Sequence, residues 1–325
     1  MEVLYRESLT GSDATDFDRF VDTARSGHAF QTRAWAKVAT ADRSRTARFF
    51  LAREGAVVGA AVVLRPRAGV LVAPTAVVER GPVCAAPTDL GRVLRALAHA
   101  TRARGVVRLT AMPYWSGVDA RCAEAELASA RFRSVQRADG AHVVTLRIDI
   151  GGKSDEQLLA GGEREALRRK LRHASGAGAV ARRGTSADLA ILAKLDAERM
   201  GAQGKRRKPR AWFDAVAREI LPTRGAVFVC EHARAPIASL LVLRHGHVAT
   251  FVLGASTLAS RPFSKMALPL LEAMRWARDG GCTQFDLGGV PMEGDVDPKR
   301  LNIAQFKSDF ARTRVHLAGE HARWL

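Results

Sequence analysis

One order of elements, hairpin, strand, helix, strand, occurs twice along this 325-residue chain, and it limits the possible folds more than any single motif does. In the first half, 48–53 and 57–64 are β-branched or aromatic runs joined by Glu54-Gly55, which reads as a hairpin. Residues 70–73 extend that sheet. The amphipathic stretch 90–104 stops at Gly105, and 106–112 returns as a strand that Pro113 ends. A short helix at 121–130 and a closing strand at 143–150 follow. Ahead of the hairpin, 12–25 is expected as a helix capped by Ser12 or Asp13, with Phe17, Phe20, Val21 and Ala24 on one face. A second helix at 30–38 would bury Trp35 and Val38 while exposing Arg33 and Lys37.

After Gly151-Gly152 the order repeats. Helix 156–173, strand 180–183 and helices 187–200 and 210–221 lead to strands 226–231 and 236–243, joined by a turn at 232–235. Strand 247–253, helix 263–278 and strand 283–287 complete the set. No residue-level repeat accompanies the repeated order. The expectation is therefore an α/β chain of two mixed units, 1–150 and 151–310, and 325 residues suffice for two cores of ordinary size.

Composition narrows the function classes. With 47% hydrophobic and 26% charged residues the chain is neither disordered nor fibrous. Lysine and arginine exceed aspartate and glutamate by 51 − 33 = 18, so the surface field should attract polyanions. The four cysteines, Cys84, Cys122, Cys230 and Cys282, include no CxxC pair, which suggests neither a disulfide framework nor a zinc site but thiols in a reducing compartment. The first residues lack a basic-then-apolar signal segment, and apolar runs such as 56–64 fall far short of a membrane span, so the expectation is a cytoplasmic protein without stable membrane insertion.

The stretch 285–310 is the leading site candidate. Gly280-Gly281 ends the preceding helix, a short buried strand follows, and Gly288-Gly289 lets the backbone turn at the carboxyl end of that strand, where ligands sit in sheets flanked by helices. Asp286 precedes the turn, and Phe306-Lys307 lies on the next helical stretch with Ile303 and Phe310 set to face a core. Either the glycines only make a turn and Lys307 is a solvated lysine, or the strand end, Asp286 and Lys307 form a reaction site.

Two basic features accompany it. Residues 201–210 hold Lys205, Arg206, Arg207, Lys208 and Arg210, either a solvated linker or a phosphate clamp. Arg164, Arg168 and Arg172 follow one another at i, i+4, i+8, a single stripe whose mutual repulsion an anionic partner would relieve.

No HExxH, GxSxG, GxxxxGK[ST] or H-x-E with paired cysteines occurs, so metalloprotease, serine hydrolase, P-loop and zinc-deaminase chemistry lose their usual support. His245 and His247 flank a glycine but have no third metal ligand nearby in sequence. No metal or cofactor is expected. A pyrophosphate-binding [Q/R]-x-x-G-x-[G/A] loop is also missing; 278–283 comes nearest and sits at a helix end.

Five segments in order, Phe30-Gln31 with Trp35-Ala36-Lys37, Leu167-Arg168-Arg169-Lys170 through Gly178, Arg275-Trp276-Ala277, Phe285-Asp286-Leu287-Gly288-Gly289, and Phe306-Lys307 before Phe310, resemble the FemABX aminoacyltransferases over nearly the whole chain. The resemblance implies two tandem acetyltransferase-like (GNAT-like) domains, with the tail 311–325 returning to complete the first. In that arrangement 314–317 would be a strand and Trp324 would find a place to bury. It implies transfer of an aminoacyl group from aminoacyl-tRNA, as co-substrate, to an amine of a peptidoglycan precursor or of a secondary-metabolite peptide. It matches Lys37 to a lysine on the acceptor's diphosphate, with Trp35 beside it, and Lys307 to a lysine at the reacting centre. A second diphosphate-binding arginine falls near Arg206 or Arg207. The long helical arm of some members is missing, so tRNA would rest on the globular surface, on Arg164, Arg168, Arg172, Lys205, Lys208 and Arg210.

The residues agree with such a reaction. An aminoacyl ester is already activated, so attack by an amine needs positioning, loss of a proton and a donor for the developing oxyanion. Lys307 is the candidate donor. No residue stands out as general base: Asp119 or Asp286 could serve, Asp286 being the more suited to fixing the glycine turn, and the substrate's own phosphate or ribose hydroxyl could take the proton instead. An acyl-CoA-dependent N-acyltransferase and a non-catalytic basic RNA-binding protein are the competing expectations.

Overall fold

The computed structural model describes residues 1–67, 74–135, 143–160, 164–292, 294, 297–311 and 313–325. The expected strand at 70–73 lies outside them. The chain divides into two compact units: Met1–Thr145 with Gly289–Val296 and Val315–Leu325, and Leu146–Gly288 with Asp297–Arg314. The sequence put the division near 151; in the structure it falls at 145/146, and two later stretches return to the first unit.

Along the first stretch run β1 (Glu2–Arg6), α1 (Gly11–Thr23), α2 (Arg33–Ala39), β2 (Arg45–Glu54), β3 (Ala56–Pro66), β4 (Thr75–Val78), β5 (Val83–Cys84), α3 (Leu90–Arg102), β6 (Arg108–Ala111), α4 (Val118–Ser129), β7 (Arg133–Ser134) and β8 (Val144–Asp149). Then come α5 (Asp155–Leu159), α6 (Glu165–Gly176), β9 (Val180–Arg183), α7 (Leu189–Gly201), α8 (Arg210–Glu219), β10 (Gly225–His232), β11 (Ala235–His245), β12 (Val248–Ser256), α9 (Ala267–Asp279), β13 (Gln284–Gly289), α10 (Pro298–Ser308), β14 (Arg314–His316) and β15 (His321–Trp324).

The first sheet has the order β1-β2-β3-β4-β6-β15-β7, with β5 on β3. Its pairs are antiparallel except β4 with β6. Alternate residues of β2 and β3 serve opposite cores, as a period of two requires. Phe49, Leu51, Ala60, Val62 and Leu64 pack with Phe17 and Val21 of α1 and Ala36 of α2. Phe50, Ala61 and Val63 face Leu90, Val93, Leu94 and Leu97 of α3 and Leu127 of α4. Each fully buried valine, leucine or phenylalanine among them contributes roughly 1.5–3 kcal/mol. The Glu54-Gly55 hairpin forms as read, with Gly55 at φ +72°.

The helix expected at 30–38 is divided: Ala29–Gln31 forms a 3₁₀ turn, and Thr32 then starts α2 by accepting the Trp35 N–H on its Oγ1 at 3.1 Å. The tail strand β15 sits between β6 and β7. Trp324, however, is 72% exposed instead of buried, with the Arg108 guanidinium over its ring at 5.8 Å. Its register partner is Arg108, on the sheet side opposite buried Leu109, so the strand turns the indole away from the helices.

The second sheet has the order β14-β8-β13-β12-β11-β10-β9, so β8, read from sequence as a closing strand of the first half, pairs with the later strands. β12 and β13 are parallel. The β10–β11 hairpin turns on Ala233 and Arg234, both at positive φ, a tight turn made without glycine. α9 packs on β9, β10 and β11, and α7 on β11 and β12. The helix expected at 263–278 begins only at Ala267, and the one expected at 156–173 is two, α5 and α6.

Candidate active site

β13 brings Phe285, Asp286 and Leu287 into the second unit fully or nearly fully buried. A carboxylate cannot stay there alone, and Asp286 is satisfied on both oxygens: Oδ1 accepts the Gly288 N–H at 2.7 Å, and Oδ2 lies 3.3 Å from Nε of Arg147 on β8. The first contact closes a side-chain turn over the strand end. Gly288 takes φ +79°, in the left-handed region that suits glycine.

α10 delivers Lys307 to this turn. A Cβ placed on Gly288 would lie 3.7 Å from the Lys307 Nζ and 3.8 Å from the Phe251 carbonyl oxygen, so the amine sits over the bare glycine backbone. Burial pushes the Lys307 ammonium down to about 8, against the pull of the Asp286 carboxylate, which favours the charged form. Lys307 is thus a donor at neutral pH that can give up its proton a little above it.

The end of α10 is held by residues around it. The Asp309 carboxylate, 5% exposed, pairs with Lys170 of α6, and the Asp309 carbonyl accepts from Arg164 Nη1 at 3.5 Å. Lys170 Nζ stands 5.8 Å from the centre of the Phe306 ring, which packs edge-on to fully buried Phe310 at 5.4 Å. The Phe306 ring, named with Lys307 as a site candidate, thus packs along the end of the helix beside Lys170. Ile303, expected to face the core, is 46% exposed; Phe310 alone of that pair is buried.

The structure joins Asp286, Gly288 and Lys307, and adds Arg147, Lys170 and Asp309, which the sequence reading missed. Lys170 belongs to the basic run 168–170, in which the sequence alone assigned it no role. The one signal for Arg147 was an arginine between two buried residues of a strand, Leu146 and Ile148.

The basic stripe is largely tied down. Arg168 and Arg172 both pair with Glu165, at 2.7 and 3.2 Å, and Arg168 also donates to the Leu159 carbonyl. The loop cations Lys205, Arg206, Arg207, Lys208 and Arg210 are exposed. Arg206, Arg207, Lys208 and Arg210 rim a recess of about 950 Å³ between α7 and α8, floored by Ala190, Ala193 and Ala197. Lys208 caps the Trp212 ring at 5.1 Å, and Arg210 reaches Asp214 at 3.8 Å.

In the first unit Lys37 is exposed in the last turn of α2, on a groove of about 570 Å³ shared with Arg43, Arg45, Arg48, Arg65 and Arg67. Arg45 and Arg48 are offset by Glu79 and Glu7. Trp35 is 5% exposed and stacked on Phe30 at 4.3 Å, so its ring supports α2 and presents little surface to a ligand. Asp119 is engaged by Arg25 at 2.6 Å. Among the described residues no three His, Cys, Asp or Glu side chains come together as a metal site, and no helix is long and apolar enough to cross a membrane.

Comparison with known proteins bears on the same elements. Residues 13–135 match the FemAB family model, and residues 162–300 match an acetyltransferase (GNAT) domain model. No curated protein matches the sequence. The chain is similar in structure to FemX, at 18% identity over 100% of this chain and 98% of that one, with a TM-score of 0.81. It is also similar to the C-terminal domain of a putative lysylphosphatidylglycerol synthetase from Agrobacterium fabrum (15%; 96% and 91%; 0.61). A third is a tandem GNAT protein from the clavulanic acid biosynthesis pathway (12%; 99% and 98%; 0.58). At these identities the solved structures speak for the fold alone. Two mixed sheets flanked by helices make a tandem GNAT-like fold, and the two family models support a transferase of the acyl or aminoacyl class. The FemAB model covers the first part of the chain and the GNAT model most of the second, which supports kinship with the FemABX family.

Proposed function

We propose that the protein transfers an aminoacyl group from aminoacyl-tRNA to an amine of a phosphate-bearing, peptide-like acceptor. The observation that carries this reading is the amine of Lys307, desolvated, beside buried Asp286 and over the Gly288 backbone. The acceptor amine attacks the ester carbonyl, the C–N bond forms, and the C–O bond to the ribose breaks. The ammonium of Lys307 neutralises the oxyanion that develops between these events. The proton lost by the attacking amine ends on the departing ribose oxygen, so no cofactor enters the balance. Asp286, occupied by Arg147 and by the Gly288 N–H, holds the turn and the charge of Lys307 and leaves the proton to the substrates.

The groove around Lys37 supports an acceptor with a diphosphate, since Arg43, Arg65 and Arg67 add cations there. A peptidoglycan precursor fits that requirement, and a small phosphorylated peptide of secondary metabolism is the other candidate. The exposed cations of the 205–210 loop are suited to the tRNA backbone, with Arg206 or Arg207 available to the acceptor's phosphates.

The test supplies labelled aminoacyl-tRNA to acceptor peptides with and without a diphosphate, and acetyl-CoA in parallel. Amide formation from aminoacyl-tRNA, with Lys37→Ala raising KM for the diphosphate acceptor only, is the expected result. Transfer from acetyl-CoA would favour the acyl-CoA reading, and RNA binding without transfer the non-catalytic one.

A further inference from the structure

The first unit by itself carries a recess of about 460 Å³ between α3, the end of α4 and β15, into which Arg95, His99, Arg102, Arg131 and Arg323 project, with Leu325 beside them. Arg95 and Arg102 stand seven residues apart on α3, two turns along one face and about 10 Å from each other. Arg131 follows α4 with φ +63°. Arg323 shares its register position with buried Leu109, so it points to the helix side of the sheet.

These cations are not neutralised within the unit. Arg95 donates to the Ser129 hydroxyl at 3.4 Å and Arg323 to the Ala130 carbonyl at 3.0 Å, both uncharged acceptors. Among the described residues no acidic side chain pairs with Arg95, Arg102, Arg131 or Arg323. Arg92, one turn earlier on the same helix, shows the contrast: Asp89 and Glu54 both bind it. Glu126 of α4 is directed at the Ser129 hydroxyl at 3.4 Å. The four guanidiniums leave the recess strongly positive.

We propose that this recess binds the phosphodiester backbone of a structured RNA, as a contact separate from the cations of the 205–210 loop. The proposal stands on charge and shape and holds whether or not the RNA delivers an aminoacyl group. A span of about 10 Å between arginines on one helix exceeds a single phosphate and suits successive phosphates of a chain, each gripped by a guanidinium fork. The concave form suits a ridge of backbone. A flat bilayer fits less well, because the exposed Trp324 that could enter it is adjacent to Arg323 in a strand and so faces the opposite side of the sheet.

The full chain is titrated with an unacylated, tRNA-sized structured RNA by filter binding between 50 and 200 mM KCl. Two variants are compared: Arg95→Glu with Arg102→Glu, both exposed on α3, and Arg131→Gly, which removes a cation at a backbone angle that glycine accepts readily. The double variant should bind at least tenfold more weakly, and its log–log salt slope should fall by about 1.4 to 1.8, two lost contacts. Arg131→Gly should weaken binding several-fold and serves alone if the double variant does not fold. Unchanged RNA affinity in folded variants overturns the proposal. So does a loss confined to phosphatidylglycerol vesicles, or calorimetric binding of inorganic phosphate to the recess with RNA affinity intact. Transfer assays on the same variants are read separately, so a failure of the proposed reaction leaves this result standing.

Discussion

Replacing Lys307 with methionine keeps an apolar stem of similar length and removes the charge. Burial holds the ammonium at about 8 where a free lysine titrates at 10.5. At 1.36 kcal/mol per unit, keeping that charge in place costs about 3 kcal/mol. The pH window follows from the two values. Below pH 8 both folded and unfolded chains carry the proton, and the folded state bears the whole cost. Between 8 and 10.5 the folded chain releases its proton while the unfolded one keeps it, so stability rises with pH; above 10.5 the cost is gone. Lys307→Met should therefore gain on the order of 1–3 kcal/mol at pH 7, the attraction to Asp286 being already contained in that cost, and the gain should vanish by about pH 10.5.

Function should move the other way. Removing one preorganised donor costs about 10² to 10³ in rate, so the stabilised variant should be close to inactive, and Lys307→Arg, wider and planar, should restore it only in part. Urea unfolding at pH 7, 8.5 and 10.5 and single-turnover transfer are the assays. The wild-type rate should fall above pH 8 as the ammonium is lost. A variant that is less stable at pH 7 would show that the buried ammonium carries no such cost, and one that transfers at the normal rate would take Lys307 out of the reaction; a wild-type rate that rises through pH 8 would make the free amine the active form.

Three further outcomes are expected. Asp286→Asn can still accept the Gly288 N–H but removes a buried carboxylate from beside the Arg147 guanidinium and the Lys307 ammonium, and should cost about 3 kcal/mol in chemical unfolding. Gly288→Ala meets its neighbours at ordinary contact distances of 3.7 and 3.8 Å, so its cost is the φ of +79° alone, about 1–2 kcal/mol, and Gly288→Asn should lose less. The Arg182 guanidinium pulls Asp188 down to about 2 from 3.8; that stabilisation, about 2 kcal/mol, is present above pH 4 and lost as pH falls through 2, so Asp188→Asn should lower Tm at pH 7 and have little effect near pH 2.

Much of the fold was legible because its elements carry their own periodicity. The alternation in 48–64 and the apolar stripe of 90–104 depend on local chain geometry, and each reappears within a few residues of its expected bounds. Asp286, Gly288 and Lys307 were legible as a group because a glycine turn at a strand end is a local signal. Arg147 and Lys170 were not. Their partners, Asp286 and Asp309, lie 139 residues away in each case, and nothing local in a sequence marks an ion pair that folding creates. Trp324 failed for the complementary reason: size suggests burial, but the strand register decides which face a residue takes, and register is set by neighbours distant in sequence.

Charge shows the same division. A formal excess of +18 predicts a positive surface but says nothing of which cations remain open to a partner. Folding settles that residue by residue. Arg168 and Arg172 share Glu165, Arg275 and Arg278 share Asp155, and Arg182 spans Asp188 and Glu231. A phosphate approaching any of these must compete with a carboxylate already in contact. At Arg95, Arg102, Arg131, Arg206 and Arg207 no acidic side chain pairs with the guanidinium among the described residues, so the same phosphate meets an uncompensated charge. A helical stripe of arginines therefore identifies a polyanion surface only after its acidic neighbours are known. The 205–210 loop in the second unit and the α3 recess in the first both meet that criterion, and of these only the loop stood out as a run of charge in the sequence.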